Sequence, residues 1–512
     1  MSPPKMRVAI CGAGVGGLIC AVALSRYHDI EVDLYEAANS FTAPGAGIGV
    51  WPRAWKILSA LGLADALSKV AVVPPNELPK IEFNLRKSDQ PEGVYFQNLT
   101  TPGSFLPFTL LAHPCTPPPL TAAPHTPAAL PLRNSSLTPP LLPEAGLLAI
   151  QRPDFATVLL QHLSPRARAH AGKRLTGYRQ VRSHALVLEF ADGARAAADV
   201  LVGADGVRSV VRAALCAELA AERGAGVDGL DADDAGRAAE RVGALGDASF
   251  SGTVAYRAMV PAEAVGATMP GHPALENAIM YMGKDSQITV YPVAFGSYIS
   301  LTAYRSNYEL EGSPPFEDPW TEDVAAADLM ADYETWEPEV RSLIQGLQHA
   351  HVNKWAIHTT QPLPSMVSGH VVLLGDAAHA MLPHTGAGAG VAIEDAYVLA
   401  TLLGDRRTTR GTVARALRAY DAVRRPFAAR VQDGARENGL LCSLCYPGLT
   451  FDRPVAAAAS GTDADGGEDE DEDEDGEKLA EIRARVRMNW EWAWKATVDV
   501  DLVKALRMLE DR

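Results

Sequence analysis

Several things are scarce in this chain, and each scarcity excludes something. Apart from one stretch near the N-terminus, no run approaches the roughly 20 apolar residues that a membrane-spanning helix needs, so none is expected. Cysteine is rare: six residues in 512, without a paired framework, which argues against a disulfide-stapled secreted scaffold and fits a reduced, cytoplasmic setting. Cys442 and Cys445 form a lone CxxC with no second pair or nearby histidines, so a zinc or redox role is not expected. Positive charge is in deficit, with a formal net charge of −16, which argues against a nucleic-acid partner. Much of that charge is local. Asp463 to Glu477 holds 11 acidic residues and no basic one, leaving the remainder near −5. Such a run is expected to form a solvated, disordered loop over 461–477.

What is present is a globular composition, 47% hydrophobic, in a chain long enough for two or three domains. The stretch "VAICGAGVGGLICAVAL" imitates a signal peptide, but it contains a patterned glycine loop and leads into "IEVDLYEA". "RVAIC" reads as a buried parallel strand, "LICAVALSRY" as a helix and "IEVDLYE" as a second strand. Gly12, Gly14 and Gly17 between them make GxGxxG. The first glycine allows the tight turn, the second lets backbone amides approach a pyrophosphate, and the third permits close helix–strand packing. Glu36 ends the second strand, where a carboxylate can accept both hydroxyl protons of an adenosine ribose. It would repel a 2′-phosphate, so the site suits FAD or NAD rather than NADP.

Two further segments have the same strand–turn–helix character. "DVLVGAD" ends at Asp205 and Gly206, before "RSVVRAAL". "HVVLLGD" ends at Asp376, before Pro383 and "TGAGAGVAIEDAYVLATLL". The helix after Gly390 aims unsatisfied amides and its positive dipole end back at that loop. A plain NAD dehydrogenase would leave this second glycine loop without a role. Two glycine-rich loops so far apart are explained if they grip opposite ends of one long cofactor, with Glu36 at the ribose end and Asp376 at the ring end.

These three segments, GxGxxG with Glu36, "GADG" at Gly203 to Gly206 and "GDAAHAMLPHTGAGAG" at Gly375 to Gly390, resemble the motifs of single-component FAD-dependent aromatic hydroxylases, and most closely their salicylate hydroxylase-like branch. The likeness covers roughly residues 7–97, 146–216 and 250 to the end. It implies an α/β fold: a Rossmann-like FAD-binding domain with an inserted β-sheet substrate domain and a C-terminal helical region. It implies that Asp376 binds the FAD ribitol, that Gly388 and Ala389 lie against the isoalloxazine, and that Gly49, in "APGAGIGVWP", and Arg152, in "IQRPDF", reach the cofactor. Asp205 belongs to the same cofactor-binding set. The expected FAD domain comprises about 1–80, 147–215 and 350–405, the substrate sheet 81–100 and 247–345, and the helical tail 406–512. "SGTVAYRAMV", "AIMYMGK", "QITVYPVA" and "SYISLTAY" read independently as short strands. Trp490 and Trp494, four apart, share a helical face and are expected to serve packing.

Three segments fall outside that pattern. Residues 101–146 are proline-laden with no strand or helix period, and read as an extraneous insertion or a genuine long loop. Residues 216–246 are Ala/Gly/Asp-rich and read as a surface insertion; the acidic run is the third.

The activity implied by the resemblance is NAD(P)H-dependent reduction of FAD, capture of O₂ as a flavin C4a-hydroperoxide, and transfer of oxygen to a small phenolic aromatic substrate. An FAD-dependent epoxidase or ring-oxidising enzyme on the same fold is the alternative, and a catalytically disabled flavin-binding protein is an alternative of another class. A monomer or homodimer is expected, with no metal. Phenols ionise near pH ~10, so a nearby cation or donor would favour the phenolate. Arg208, Tyr256 and Arg257 are candidates, with Arg208 and Tyr256 the expected substrate-contacting pair. His379 and His384 are expected to stabilise the flavin loop by hydrogen bonds, with a base role second.

Overall fold

The computed structural model describes residues 3–41, 47–71, 81–100, 148–182, 185–224, 232–293, 296–317, 319–451, 455 and 470–510. The expected insertion at 101–146 lies outside them.

The continuous apolar run Met6–Cys11 can be buried on both faces only inside a parallel sheet covered by helices. It pairs in parallel with Ile30–Tyr35 on one side and Val200–Gly203 on the other, and Val371–Leu373 adds beyond the latter. Strands from the middle and the last third of the chain thus sit beside the first one. The helices Val15–Leu24 and Gly388–Gly404 pack together over this six-stranded sheet, so both glycine-rich loops open at its carboxyl ends. Ligands bind at such edges because helix N-termini and strand ends converge there.

The second sheet has eight strands and is antiparallel except where Ile279–Gly283 runs parallel to Ile81–Lys87. Its centre is the long strand Ser249–Pro261, between Tyr298–Ser306 and Val352–Thr359. One face buries Tyr256, Ala258 and Val260 against Val340, Leu343 and Ile344 of the helix Pro338–Gly346. The opposite face, near Met280, Met282 and Leu85, meets Trp51, Trp490 and Trp494. The two C-terminal tryptophans are 2% exposed and lie about 6 Å from the Trp51 ring, so they serve packing.

One expectation about the irregular segments needs correction. The acidic run is not wholly a loop: the helix Glu470–Lys495 begins inside it. Acidic side chains favour a helix N-terminus, and Lys478 pairs with Glu474 at 2.9 Å and Asp475 at 3.6 Å across one turn. The Ala-rich 216–246 segment lies largely at the surface and is helical where it is described. It continues the helix Val210–Gly224 and forms Ala232–Ala244, which packs on it and buries Val242, and Cys216 is fully buried. Alanine is the strongest helix former, and this stretch has enough of it.

Candidate active site

The first loop leaves no choice of residue at two positions. Gly12 has φ +103°, and a Cβ there would come within 2.1 Å of the Ala204 carbonyl oxygen. A Cβ at Gly17 would lie 1.9 Å from the Gly12 oxygen. Gly14 caps the helix Val15–Leu24, and a Cβ placed on it would meet only the Arg152 guanidinium, 3.8 Å away. The backbone there is open to a ligand, with Arg152 at the start of the helix Arg152–Gln161 facing it. Glu36 accepts the Ala13 N–H and the Ala38 N–H, each at 2.8 Å, and shares a cleft with Gly14, Ser40, Phe41 and Arg152. Gly49 lies in a two-stranded pairing opposite Ala149.

The middle segment is a brace. Asp205 accepts the Ser209 hydroxyl at 2.5 Å and the Val210 and Val211 amides at 2.8 and 3.1 Å, capping the next helix. Burial raises its carboxyl pKa, partly offset by these donors. Buried Arg212 donates to the carbonyls of Val207 and Ala377 at 2.6 and 3.1 Å, fastening this turn to the Asp376 loop.

In that loop Asp376 is exposed, while its neighbours are buried. A Cβ on Gly388 would sit 3.9 Å from its carboxylate oxygen, so the acid and the amino end of the helix Gly388–Gly404 share one spot. Ala389 is half-buried against the same core. The loop is held from behind by His379, as expected, and by buried charges that gave no such sign: Asp395, Arg424, Glu394 and Arg53. His379 Nε2 lies 2.6 Å from Asp395, which also accepts from Arg424 at 2.8 Å and from the Gly375 amide at 3.2 Å. Arg424 continues to Glu394 at 2.9 Å, and Glu394 accepts both arms of the Arg53 guanidinium at 2.6 and 2.8 Å. The Asp395 carboxyl is pushed up by burial but more strongly down by His379 and Arg424, and ends below its ordinary range. The only sequence signal was acidic "ED" inside an otherwise apolar helix. From the other side, the Trp51 and Trp490 indoles both donate to the Thr385 carbonyl, at 3.3 and 2.9 Å.

The second sheet meets the loop at His384. Gln287 Nε2 is 2.5 Å from His384 Nδ1, and the Tyr304 ring stands edge-on to the imidazole at 4.9 Å between centroids. Burial pushes the His384 pKa down to about 3, so the ring is neutral at ordinary pH. With Nδ1 accepting from the amide, His384 Nε2 carries the proton (a tautomer assigned from the hydrogen bond). That Nε2, Gln287 Oε1 and Arg257 Nε are buried without a hydrogen-bond partner among the described residues. Burial raises the Tyr304 hydroxyl pKa, and the nearby Arg257 guanidinium offsets part of the rise.

The expected pair Arg208 and Tyr256 is not assembled at this point. Strand residues alternate between faces, and Tyr304 stands opposite Ala255 in the ladder. Ala255 and Arg257 therefore face His384, whereas Tyr256 faces the other way into the core with Val340 and Leu343. Arg208 is exposed, with its guanidinium 3.7 Å above the Trp320 ring. A strand has a two-residue period, so adjacent Tyr256 and Arg257 must point to opposite faces.

The residues fit FAD. The first loop cannot admit side chains where a pyrophosphate approaches, Arg152 overlooks it, and exposed Asp376 stands beside open helix amides at the other end. A parallel sheet with these two loops and a second sheet closing over the ring end defines a single-component FAD-dependent monooxygenase. The comparisons agree. The family described as "FAD binding domain" matches residues 5–235 and 278–435, and the chain belongs to it. The chain is 33% identical over 448 residues to a salicylate hydroxylase of Pseudomonas putida, covering 86% of this chain and 87% of that one. It is 32% identical over 472 residues to the FAD-dependent monooxygenase str9 of Strobilurus tenacellus, covering 86% and 89%. A solved salicylate hydroxylase substrate complex superposes with a TM-score of 0.70 at 26% identity, covering 99% of this chain and 98% of that one. This protein is an FAD-dependent aromatic monooxygenase of the salicylate hydroxylase group, using NAD(P)H as co-substrate. Among the described residues no helix is long and apolar enough to cross a membrane, and no group of three His, Cys, Asp or Glu side chains could hold a metal.

Proposed function

We propose that the enzyme hydroxylates a phenolic aromatic acid of the salicylate type, with the acid's anionic oxygens held by Arg257 and Tyr304. The observation that carries this reading is the half-buried Arg257 guanidinium, which stands beside Tyr304 on the sheet face that meets the flavin loop and whose Nε has no hydrogen-bond partner among the described residues; His384 Nε2 is instead closed off against Gly439 of the helix Val413–Cys442. A buried donor without an acceptor is costly, by about 1–3 kcal/mol, and an anionic ligand removes that cost. The relatives' names, salicylate hydroxylase and 6-methylsalicylate 1-monooxygenase, point to the same chemistry.

Bound FAD, reduced by NAD(P)H, supplies an electrophilic oxygen derived from O₂. The chain's own residues do the rest. Arg257 provides a fixed positive charge that favours the phenolate over the phenol. His384 stays neutral and, gripped by Gln287, braces the loop against the second sheet. Tyr304 keeps its proton because burial raises its pKa, so it remains a donor. The tryptophan cluster behind Thr385 keeps water from that side of the loop.

The test is product formed per NAD(P)H consumed across salicylate, other hydroxybenzoates and resorcinol-type aldehydes. Arg257→Met removes a charge-assisted contact typically worth about 1.5–3 kcal/mol, which corresponds to a loss of roughly ten- to hundredfold in kcat/KM for acids. Wild-type coupling and kcat/KM in that variant would refute the assignment.

A further inference from the structure

The sheet face that carries Arg257 and Tyr304 does not end with them. The ladders align Arg257 with Thr302 and Thr289, then Met259 with Ser300 and Tyr291, then Pro261 with Tyr298 and Val293. All share one face, because successive rows are two residues apart. Polarity changes along it. The rows nearest His384 hold Gln287, Tyr304 and Arg257, whereas beyond Arg257 these three strands present no charged side chain on this face. Met259 and Tyr298 are each 42% exposed. The charged Asp323 lies on the edge strand Thr321–Val324, in the row of Asn353 and Arg257, and pairs with His351. From Arg257 to the row of Tyr298 is four residues, roughly 14 Å of strand.

Resting on the reading above, we propose that the substrate is a phenolic acid bearing an alkyl chain, with the acid head at Arg257 and Tyr304 and the chain along Tyr291, Met259 and Tyr298. An uncharged track continuous with a charged pocket matches a ligand that is anionic at one end and apolar at the other. A compact hydroxybenzoate would leave the track unused. An exposed Met and Tyr suit such a chain: the thioether adapts to irregular shapes, and the phenol offers an apolar ring with a wet edge.

The experiment uses FAD-loaded enzyme and salicylates carrying methyl, propyl, pentyl or heptyl at each free ring position. Binding is measured by calorimetry without NAD(P)H, and turnover separately. For one ring position, Kd should fall roughly twofold per methylene, about half the free energy of full burial because the track covers one side. Met259→Lys and Tyr298→Lys, both at exposed positions, should flatten that dependence while retaining the wild-type flavin spectrum. A flat dependence at every ring position overturns the proposal. So does a chain-length gain retained in both variants, since the chain then lies elsewhere. A dimer dissociated by the Lys variants, with no chain-length effect, would make the face an interface between copies and also overturn it. Failure of the underlying reading looks different: no aromatic acid, with or without a chain, would stimulate NAD(P)H oxidation.

Discussion

Replacing Asp395 by Asn tests whether the buried ion network is what holds the flavin loop. The substitution keeps the side chain's size and removes its charge. In the native enzyme the carboxylate is fully buried and answers His379, Arg424 and the Gly375 amide. Asn cannot accept all three, and Arg424 is left with Glu394, which already serves Arg53, and with a longer contact to Asp501 at 3.3 Å. Stranding a buried charge costs about 3–5 kcal/mol; the retained amide oxygen argues for the lower end. With an unfolding entropy of about 2.1 cal/mol/K per residue, 3 kcal/mol lowers Tm by roughly 3 °C if the whole chain melts together. The drop is nearer 6 °C if the FAD-binding half melts alone. FAD should also bind more weakly, because the Gly375 turn that presents Asp376 loses an anchor. The sign of the pH effect is fixed as well. The Asp395 carboxyl is held below its unfolded value of about 3.9, so its contribution is complete above that pH and disappears as pH falls through the folded pKa. Wild type should lose this stability only below about pH 4, and the variant should lack that limb. Thermal melts followed by flavin fluorescence, with and without added FAD, measure both effects. Adding Arg424→Met should recover part of the loss, since the stranded charge is then gone. A Tm within about 1 °C of wild type, together with unchanged FAD affinity, would refute the argument.

Other outcomes follow from the same structure. His384 titrates near 3 in the fold against 6.5 when unfolded, so stability should be full above pH 6.5 and fall by about 1.4 kcal/mol per pH unit below it, until about pH 3. His384→Gln should abolish that slope in denaturant titrations between pH 7 and 4.5, and an unchanged slope would place the proton elsewhere. Gly12→Ala forces a Cβ into the Ala204 carbonyl and should yield protein without bound flavin, read from the visible spectrum of the purified enzyme. Asp376→Ala removes an exposed acid, so the melting temperature of flavin-free protein should hold while FAD affinity or its reduction rate drops; equal affinity and rate would remove Asp376 from the site.

The cofactor half of the site was legible because backbone geometry dictates residue type there. Only glycine fits at Gly12 and Gly17, so GxGxxG names its positions from the sequence alone. Asp205 was legible as a strand–helix junction, but its side chain is occupied in capping a helix, which spacing could not separate from ligand contact. The substrate half was harder to read. "AYRAM" says that a strand passes the site, and which of its alternating side chains faces inward depends on register with a sequence-distant partner strand at Tyr304. Gln287 gave no signal, since its role exists only against His384. The ion network was hidden for the same reason: Arg53, Glu394 and Arg424 come from three helices, and nothing local pairs them.

The placement of Val371–Leu373 beside Val200–Gly203 and Met6–Cys11 has a consequence for how the enzyme is born. A ribosome adding about 5–20 residues per second needs roughly 20–70 s to reach the last of these strands after releasing the first. Until then the growing chain carries an apolar strand with an open edge, and the nucleotide end of the cradle has no ring end to match. Vectorial synthesis therefore cannot finish the sheet piecemeal. Nascent chains stalled before residue 371 should be chaperone clients that do not capture flavin, however complete their first glycine loop.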